Sequence, residues 1–393
     1  MIPYGRQWIE EDDIEAVVNT LKSDYLTTGP KVAEFEKKVA EYVGAKYAVA
    51  VSNGTAALHI ACIAAGLSKG DEFITTPITF AASANCGVYV GAKPVFADID
   101  PKTYNISPTE IEKKITDKTK AIIPVHYTGQ PCDMDVIHRI AKEHNLIVIE
   151  DGAHALGAEY KGRKVGSMSD MTCFSFHPVK HITTGEGGMV TTNDEELYHK
   201  LLLARNHGIT RNPEEFENTS ELKDDLTNAN HPGSWYYEQI NLGFNYRITD
   251  IQCALGITQM NKLDRFLQRR RAIAKRYDEA FAGVKGIITP YVDAAGESAW
   301  HLYVIQVPAE YRKEIFEELR KRGIGVNVHY IPVYQHPFYQ KNGYRDVCCT
   351  ESEKLYSNLI SIPMYPALTE EEQEIVIKTV LEVVHECFDK YAV

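Results

Sequence analysis

Lys180 closes Ser175-Phe176-His177-Pro178-Val179-Lys180, a polar turn that runs on into Gly185-Glu186-Gly187-Gly188. Upstream, the apolar run Leu146-Ile147-Val148-Ile149 ends in Glu150-Asp151-Gly152-Ala153-His154. A lysine amine forms a Schiff base with an aldehyde cofactor, and a carboxylate keeps a pyridine nitrogen protonated so that the ring withdraws electrons. Those two groups predict pyridoxal 5'-phosphate as cofactor, Lys180 and Asp151 as catalytic residues, and amino-group transfer as the reaction. A lone lysine is usually solvated surface. Here Phe174, Phe176 and Met189-Val190 supply apolar neighbours, which predicts buried strand ends. Desolvation in such a place disfavours the ammonium and frees the nucleophilic amine. Asp151 alone reads equally as a helix cap. Its position at a strand end favours a ligand role, because open α/β sheets bind ligands outside the carboxyl ends of their strands.

A phosphate needs a cradle. Tyr47-Ala48-Val49-Ala50-Val51 reads as a buried strand, and Ser52-Asn53-Gly54-Thr55-Ala56-Ala57-Leu58 turns from it into a helix. Gly54 permits close backbone approach, and the N–H groups of Thr55 and Ala56 at the helix start would face an anion. An ordinary capped strand-to-helix turn has the same appearance. The Gly185–Gly188 stretch lacks the G-x-G-x-x-G spacing, so it predicts no dinucleotide site.

Composition narrows the partners. The chain has 393 residues, a formal net charge of −12 and a pI near 5.7, with no block of lysines and arginines. That balance argues against nucleic acid or an anionic membrane as main partner, but not against a phosphorylated small molecule met by helix ends. None of the eight cysteines forms a CxxC pair, and Cys348-Cys349 is not a metal-ligand spacing. Reduced thiols and no metal are expected. The first residues lack an apolar signal core, and no long apolar segment follows, which predicts a cytoplasmic protein.

The elements that must position these groups alternate through the first half. Strands are expected at Glu72–Thr76, Pro94–Ala97, Ala121–Val125, Leu146–Ile149 and Gly187–Thr192, and helices at Ala81–Val90, Thr109–Ile115, Met134–Glu143 and Glu195–Arg205. Ser107-Pro108-Thr109-Glu110 is a helix start. The alternation predicts an α/β fold with a mostly parallel central sheet and helices on both faces. Asn212–Gly233 is polar and acidic, and reads as a surface insertion placed to lie over a site. Asp250–Phe281 reads as one long helix whose run Gln268-Arg269-Arg270-Arg271 is a solvated face. Leu302–Val307, Arg312–Arg322 and Val326–His329 then give strand, helix, strand, and Thr369-Glu370-Glu371-Glu372 caps a last helix. Two domains are expected: 1–250, large and cofactor-binding with an N-terminal arm, and 251–393, a linking helix and a smaller C-terminal α+β domain.

Five segments in order carry a more specific likeness. They are Thr27-Thr28-Gly29-Pro30, Ser52–Leu58, Glu150-Asp151-Gly152-Ala153-His154-Ala155-Leu156-Gly157, the Lys180 segment, and Gly243-Phe244-Asn245-Tyr246-Arg247-Ile248-Thr249-Asp250-Ile251-Gln252. Over essentially its full length the chain resembles the DegT/DnrJ/EryC1/StrS sugar aminotransferases, which have the aspartate aminotransferase-like (type I) fold. Ile2-Pro3-Tyr4, Phe176–Thr184 and Val328-His329-Tyr330 look most like the branch that aminates UDP-4-keto-6-deoxy-L-AltNAc in pseudaminic acid biosynthesis.

The resemblance implies a role for each matching position. Lys180 would be the Schiff-base lysine and proton shuttle, Asp151 the partner of the pyridine nitrogen. Phe80 would stack on one ring face with Ala153 against the other, and His154 would lie beside the ring. Gly54, Thr55, Ala56 and Ser175 would hold the phosphate, and Asn245 would reach it from the other subunit of a homodimer. Tyr4, the turn Tyr25, Leu26, Thr27 and Thr28, and Asn327, Val328, His329 and Tyr330 would line the sugar-nucleotide pocket. L-Glutamate is the expected donor and C4 of a UDP-4-keto-6-deoxy-N-acetylhexosamine the acceptor. His329 and Tyr330 either set the sugar's orientation or pack in the small domain. Three alternatives stay open: amination of a D-configured 4-keto sugar, a hydroxyl-removing relative, against which Lys180 argues, and a non-catalytic cofactor-binding regulator. Gly152, where the family often has Ala, and the Asn212–Gly233 insertion depart from the family pattern.

Overall fold

The chain is described by a computed structural model for residues 1–218 and 234–391. Most of the Asn212–Gly233 segment lies outside the described residues; of its start, Pro213–Glu215 is a single 3-10 turn. A seven-stranded sheet is built from β1 (Tyr47–Val51), β2 (Glu72–Thr75), β3 (Lys93–Phe96), β4 (Thr119–Ile123), β5 (Ile147–Asp151), β6 (Met171–Ser175) and β7 (Gly188–Thr192). Their order across the sheet is β1-β7-β6-β5-β4-β2-β3. Only β7 runs against its neighbours, pairing antiparallel with β1 and β6, so the sheet is mostly parallel as the alternation requires. Valine, isoleucine and alanine fill both faces of these strands, which are buried because helices cover each side.

The predicted helices hold with ends shifted by a residue or so: Ala82–Tyr89, Pro108–Lys114, Met134–His144 and Glu195–Arg205. Ser107 takes the N-cap position, but its hydroxyl bonds to Thr109 Oγ1 and makes no capping bond. Thr369 does cap the last helix, Glu370–Tyr391, in a reciprocal box with Glu372.

Three expectations in the second half need correction. Asp250–Phe281 is two helices, Asp250–Met260 and Leu263–Phe281, broken at Asn261-Lys262. The apolar period survives the break because both halves bury one face, so periodicity alone hides it. Val326–His329 is not a full strand; Asn327 makes an isolated bridge to Ser361. The partner of β8 (Tyr303–Gln306) is instead β9 (Leu359–Ile362), in antiparallel register. The run at 268–271 is not all solvated, since Arg270 is fully buried.

Leu263–Phe281 joins two cores. Leu263 and Leu267 pack with Phe35, Phe174 and Phe176 under the main sheet. Ile273, Ala274, Tyr277 and Phe281 pack with Tyr303, Ile305, Ile360 and Val380 around the β8–β9 pair. The N-terminal arm crosses over as well: Ile2 bridges Ile324, and Gly325 N–H donates to Ile2 O at 2.7 Å.

Candidate active site

The ends of β1, β5 and β6, the loop after β2 and the 327–330 segment surround one cavity of about 810 Å³, a volume in the range of small-molecule sites. Every strand but β7 points its carboxyl end the same way, and this is the edge where ligands of open α/β sheets bind. Fourteen of the predicted site residues line it: Tyr4, Gly54, Thr55, Ala56, Phe80, Asp151, Ala153, His154, Ser175, Lys180, Asn327, Val328, His329 and Tyr330.

Asp151 is the last residue of β5 and is nearly buried. Its Oδ1 accepts the Ala153 N–H at 3.1 Å, and its Oδ2 accepts the Ser83 hydroxyl at 2.6 Å. Thr79 and Ser83 hydroxyls are 2.6 Å apart, extending the chain of hydrogen bonds. The residue before it is held as firmly: Glu150 Oε2 meets His126 Nε2 at 2.6 Å with both side chains inaccessible, and Thr172 Oγ1 donates to Glu150 Oε1. Since His126 Nδ1 accepts the Cys132 N–H at 3.0 Å, Nε2 carries the ring hydrogen toward Glu150. Glu150 thus fixes the strand end, and Asp151 faces the cavity.

Lys180 stands on the turn after β6, its backbone N–H bonded to His177 O at 2.9 Å. Burial pulls its pKa down to about 8; the positive Arg270 adds to this and Asp151 opposes it. Arg270, without a carboxylate partner, donates to the carbonyls of Trp300, His301 and Met364 at 3.1 to 3.2 Å and to Lys180 O at 3.5 Å.

The anion cradle has the predicted location and one altered detail. Asn53 caps the helix Gly54–Ala64, its Oδ1 taking the Ala56 N–H at 2.8 Å. The cap thus claims one of the two N–H groups expected to meet an anion, so Gly54 and Thr55 supply the first turn's open donors. A Cβ at Gly54 would sit 2.8 Å from Ser175 Cβ, and one at Gly188 would sit 2.4 Å from Asn53 O. Both contacts exclude larger residues and bring Ser175 to the helix start.

His154 is buried, with Nε2 3.1 Å from Tyr330 Oη and Nδ1 without a partner. Burial, with Lys180 nearby, holds it neutral, its pKa well below the usual histidine value. His329 is also neutral, pulled down to about 4 by burial. Its ring is fully engaged, Nδ1 with Ser361 Oγ at 2.8 Å and Nε2 with Asn327 Nδ2 at 3.3 Å, and Tyr127 Oη donates to its carbonyl. Tyr4 packs its ring against His329, placed there by the arm and by the Met364 N–H bonded to Tyr4 O.

Five predicted residues are elsewhere. Tyr25, Leu26, Thr27 and Thr28 do not reach this cavity in their own chain. Gly29 and Lys31 N–H groups bond to the Asp250 carboxylate at 2.8 and 2.9 Å, and the Asp250 N–H to Leu26 O, which ties the turn to the start of Asp250–Met260. Thr28 lines a separate cavity of about 530 Å³ with Arg205, Asn206 and Arg247, and Tyr25 is exposed. Asn245 is exposed too, while its neighbour Tyr246 lines the main cavity; successive residues of an extended segment face opposite ways.

Sequence reasoning passed over Ser83, Asn53, Tyr246, Arg270 and His301. Asn53 was legible as a cap before Gly54. Ser83 and His301 meet their partners only through the fold. The residues present fit pyridoxal phosphate: an acid at the end of a strand, a desolvated lysine, open N–H groups at a helix start beside Ser175, and a buried cavity-lining histidine with one unmet nitrogen. Among the described residues, no group of three or more His, Cys, Asp or Glu is placed to hold a metal, and no helix is long and apolar enough to cross a membrane. All eight cysteines are free.

A family model described as the DegT/DnrJ/EryC1/StrS aminotransferase family matches residues 7–381. The chain is 43% identical over 98% of its length, and 97% of the relative, to spore coat polysaccharide biosynthesis protein SpsC of Bacillus subtilis. It is 39% identical, at the same coverage, to the UDP-4-amino-4,6-dideoxy-N-acetyl-beta-L-altrosamine transaminase of Campylobacter jejuni. Among solved structures, Helicobacter pylori PseC, an aminotransferase involved in the biosynthesis of pseudoaminic acid, superposes with a TM-score of 0.89 at 33% identity, covering 98% of this chain and 99% of that one.

Proposed function

The chain belongs to the DegT/DnrJ/EryC1/StrS aminotransferase family, and on that premise we propose that it moves an amino group from L-glutamate to C4 of a UDP-4-keto-6-deoxy-N-acetylhexosamine of L-altro type. It is a pyridoxal phosphate-dependent sugar aminotransferase. The observation that carries the finer reading is the meeting of Lys180, Asp151 and the Gly54–Thr55 helix start in one cavity closed by Tyr4 and Asn327–Tyr330. The likeness to the altrosamine transaminase supports the sugar.

Bound cofactor supplies a carbonyl that takes up the amino group and a ring that withdraws electrons from the carbon losing a proton. Asp151, fixed by Ser83 and Ala153, would hold the proton of the ring nitrogen. Gly54, Thr55 and Ser175 would bind the phosphate, and Phe80 and Ala153 would flank the ring. Lys180 Nζ, with its lowered pKa, would move a proton between the donor's carbon and the cofactor's reacting carbon in the first half of the reaction, and between that carbon and C4 of the sugar in the second. Tyr330, tied to His154, orients the sugar; His329, its nitrogens both engaged, supports that wall by packing.

The large apolar residues left exposed near Asn245, among them Trp235, Tyr237 and Leu242, support a homodimer in which Asn245 and the 25–28 turn serve the partner's site. We take the two cores as the expected large and small domains and place their junction within Leu263–Phe281. A cytoplasmic location suits a sugar-nucleotide substrate.

The greater identity to a spore coat polysaccharide biosynthesis protein, whose name specifies no sugar, keeps a D-configured 4-keto sugar as the second reading. The deciding experiment offers both C5-epimeric UDP-4-keto-6-deoxy sugars with glutamate and identifies the product by NMR. Amination of the L-epimer sustains the proposal; amination of the D-epimer alone replaces it with the second reading.

A further inference from the structure

His301 leads into β8 and was not marked by any motif. Its Nε2 lies 3.5 Å from Lys180 Nζ, a long hydrogen bond. Its ring is 4.2 Å from that of His154, and its Nδ1 is buried without a partner. Two other buried histidines satisfy both nitrogens, His126 with Glu150 and Cys132, and His329 with Ser361 and Asn327, whereas His154, lining the same cavity, shares the unmet Nδ1. An unmet buried polar atom costs about 1–3 kcal/mol. A histidine kept only for packing would not carry that cost.

The backbone holds this pair in register. Arg270 reaches the carbonyls of both Lys180 and His301, and the His301 N–H donates to Thr128 O at 2.7 Å. Trp300, just before, sits at φ 50, a left-handed backbone that is unfavourable for a tryptophan and turns the chain so that His301 enters the site.

We propose that His301 is a positioning residue for Lys180: its neutral Nε2 accepts a hydrogen from Nζ and holds the amine over the reacting carbon whenever that amine is not bonded to the cofactor. The ring is neutral because burial and the nearby positive groups disfavour its charged form. Groups facing Lys180 from the surrounding elements are Asp151 on β5, His154 after it, His181 on its own turn, Arg270 on Leu263–Phe281, and His329 and Tyr330 from the 327–330 segment. Asp151 through its charge and His301 as acceptor favour its ammonium form.

The inference rests on Lys180 being the cofactor-bearing lysine. The test uses the whole protein with its cofactor in the pyridoxamine form, which leaves Lys180 free, and measures acylation of Lys180 by acetic anhydride against pH, read by peptide mass spectrometry. In the wild type half-maximal labelling is expected near pH 8, as burial sets it. His301→Leu and His301→Asn, whose shorter amide falls short of Nζ, are expected to move it down by about one pH unit, as loss of a hydrogen bond to a charged group implies. His301→Gln, which reaches Nζ, restores the wild-type profile. No shift, or an upward shift, in a folded Leu or Asn variant overturns the proposal. Failure of the underlying reading looks different: the pyridoxal form would then leave Lys180 as readily labelled as the pyridoxamine form does.

Discussion

The cofactor half of the cavity and its sugar half are built differently. Asp151, Ser175, Gly54 and Thr55 sit at strand ends or on the first turn of the helix that follows, so a few consecutive residues both fold the segment and place the group. Tyr4, Asn327, His329 and Tyr330 are held from far along the chain, by the arm bridging Ile324, by Ser361 and by Tyr127. Local construction keeps a site constant in chemistry, while a wall assembled from distant segments is free to change its shape for another sugar.

The largest expected effect falls on the cofactor half. Lys180→Ala removes the amine proposed to carry the cofactor, and a loss of turnover by about a thousandfold or more is expected, together with loss of the bound cofactor's visible absorbance. Wild-type turnover in a folded variant would remove Lys180 from the chemistry. Asp151→Asn keeps the shape and loses the charge, so cofactor should still bind while turnover falls by about a hundredfold. Equal activity would show the carboxylate is not needed.

The residues absent from the cavity come next. If Asn245 serves the partner's site, an equal mixture of inactive Lys180→Ala and Asn245→Ala proteins, after subunit exchange, should recover about a quarter of native activity, because half the dimers are mixed and each has one intact site. Activity that stays at the level of the single variants after confirmed exchange would place both groups in one chain's site.

On the sugar half the effect is smaller. Tyr330→Phe deletes the hydroxyl bonded to His154 and is expected to raise KM for the keto sugar about fivefold, the cost of one hydrogen bond, with cofactor affinity kept. A loss confined to cofactor affinity would move Tyr330 to the other half. Outside turnover and affinity, the remaining effect is on stability. His154, His181, His301 and His329 have folded pKa values below the unfolded one. Below about pH 6.5 the unfolded chain therefore binds more protons, and stability falls as pH falls, by up to about 1.4 kcal/mol per pH unit for each histidine. The melting temperature should drop between pH 7 and pH 5, and His301→Gln should flatten that drop; a melting temperature constant over this range would contradict it.

How far the sequence foretold the molecule follows the same division. The strands from Tyr47 to Thr192 and the helices between them were legible because each is a short run with its own period and breakers. Lys180 and Asp151 were legible because their chemistry demands particular residue types at strand ends. What escaped was decided at a distance. Arg270 looked solvated between two charged neighbours, Arg269 and Arg271, yet its guanidinium is taken up by carbonyls from Lys180, Trp300, His301 and Met364. The 25–28 turn is held by Asp250 away from its own chain's cavity, so any place it has in a pocket turns on a second copy, which no local pattern announces. The break at Asn261-Lys262 escaped for a similar reason, since Lys262 turns to meet Asp12 and Asp13, two acids from the start of the chain.

The helix Leu263–Phe281 gives Leu263 and Leu267 to one core and Ile273, Ala274, Tyr277 and Phe281 to the other. Neither core can lose its packing without stripping apolar partners from the other, and Arg270, midway, would lose its carbonyl cage at the same time. Heating should therefore melt the protein in a single calorimetric transition rather than two, and a proline placed at Arg269, between the halves, should bring that one transition to lower temperature without splitting it.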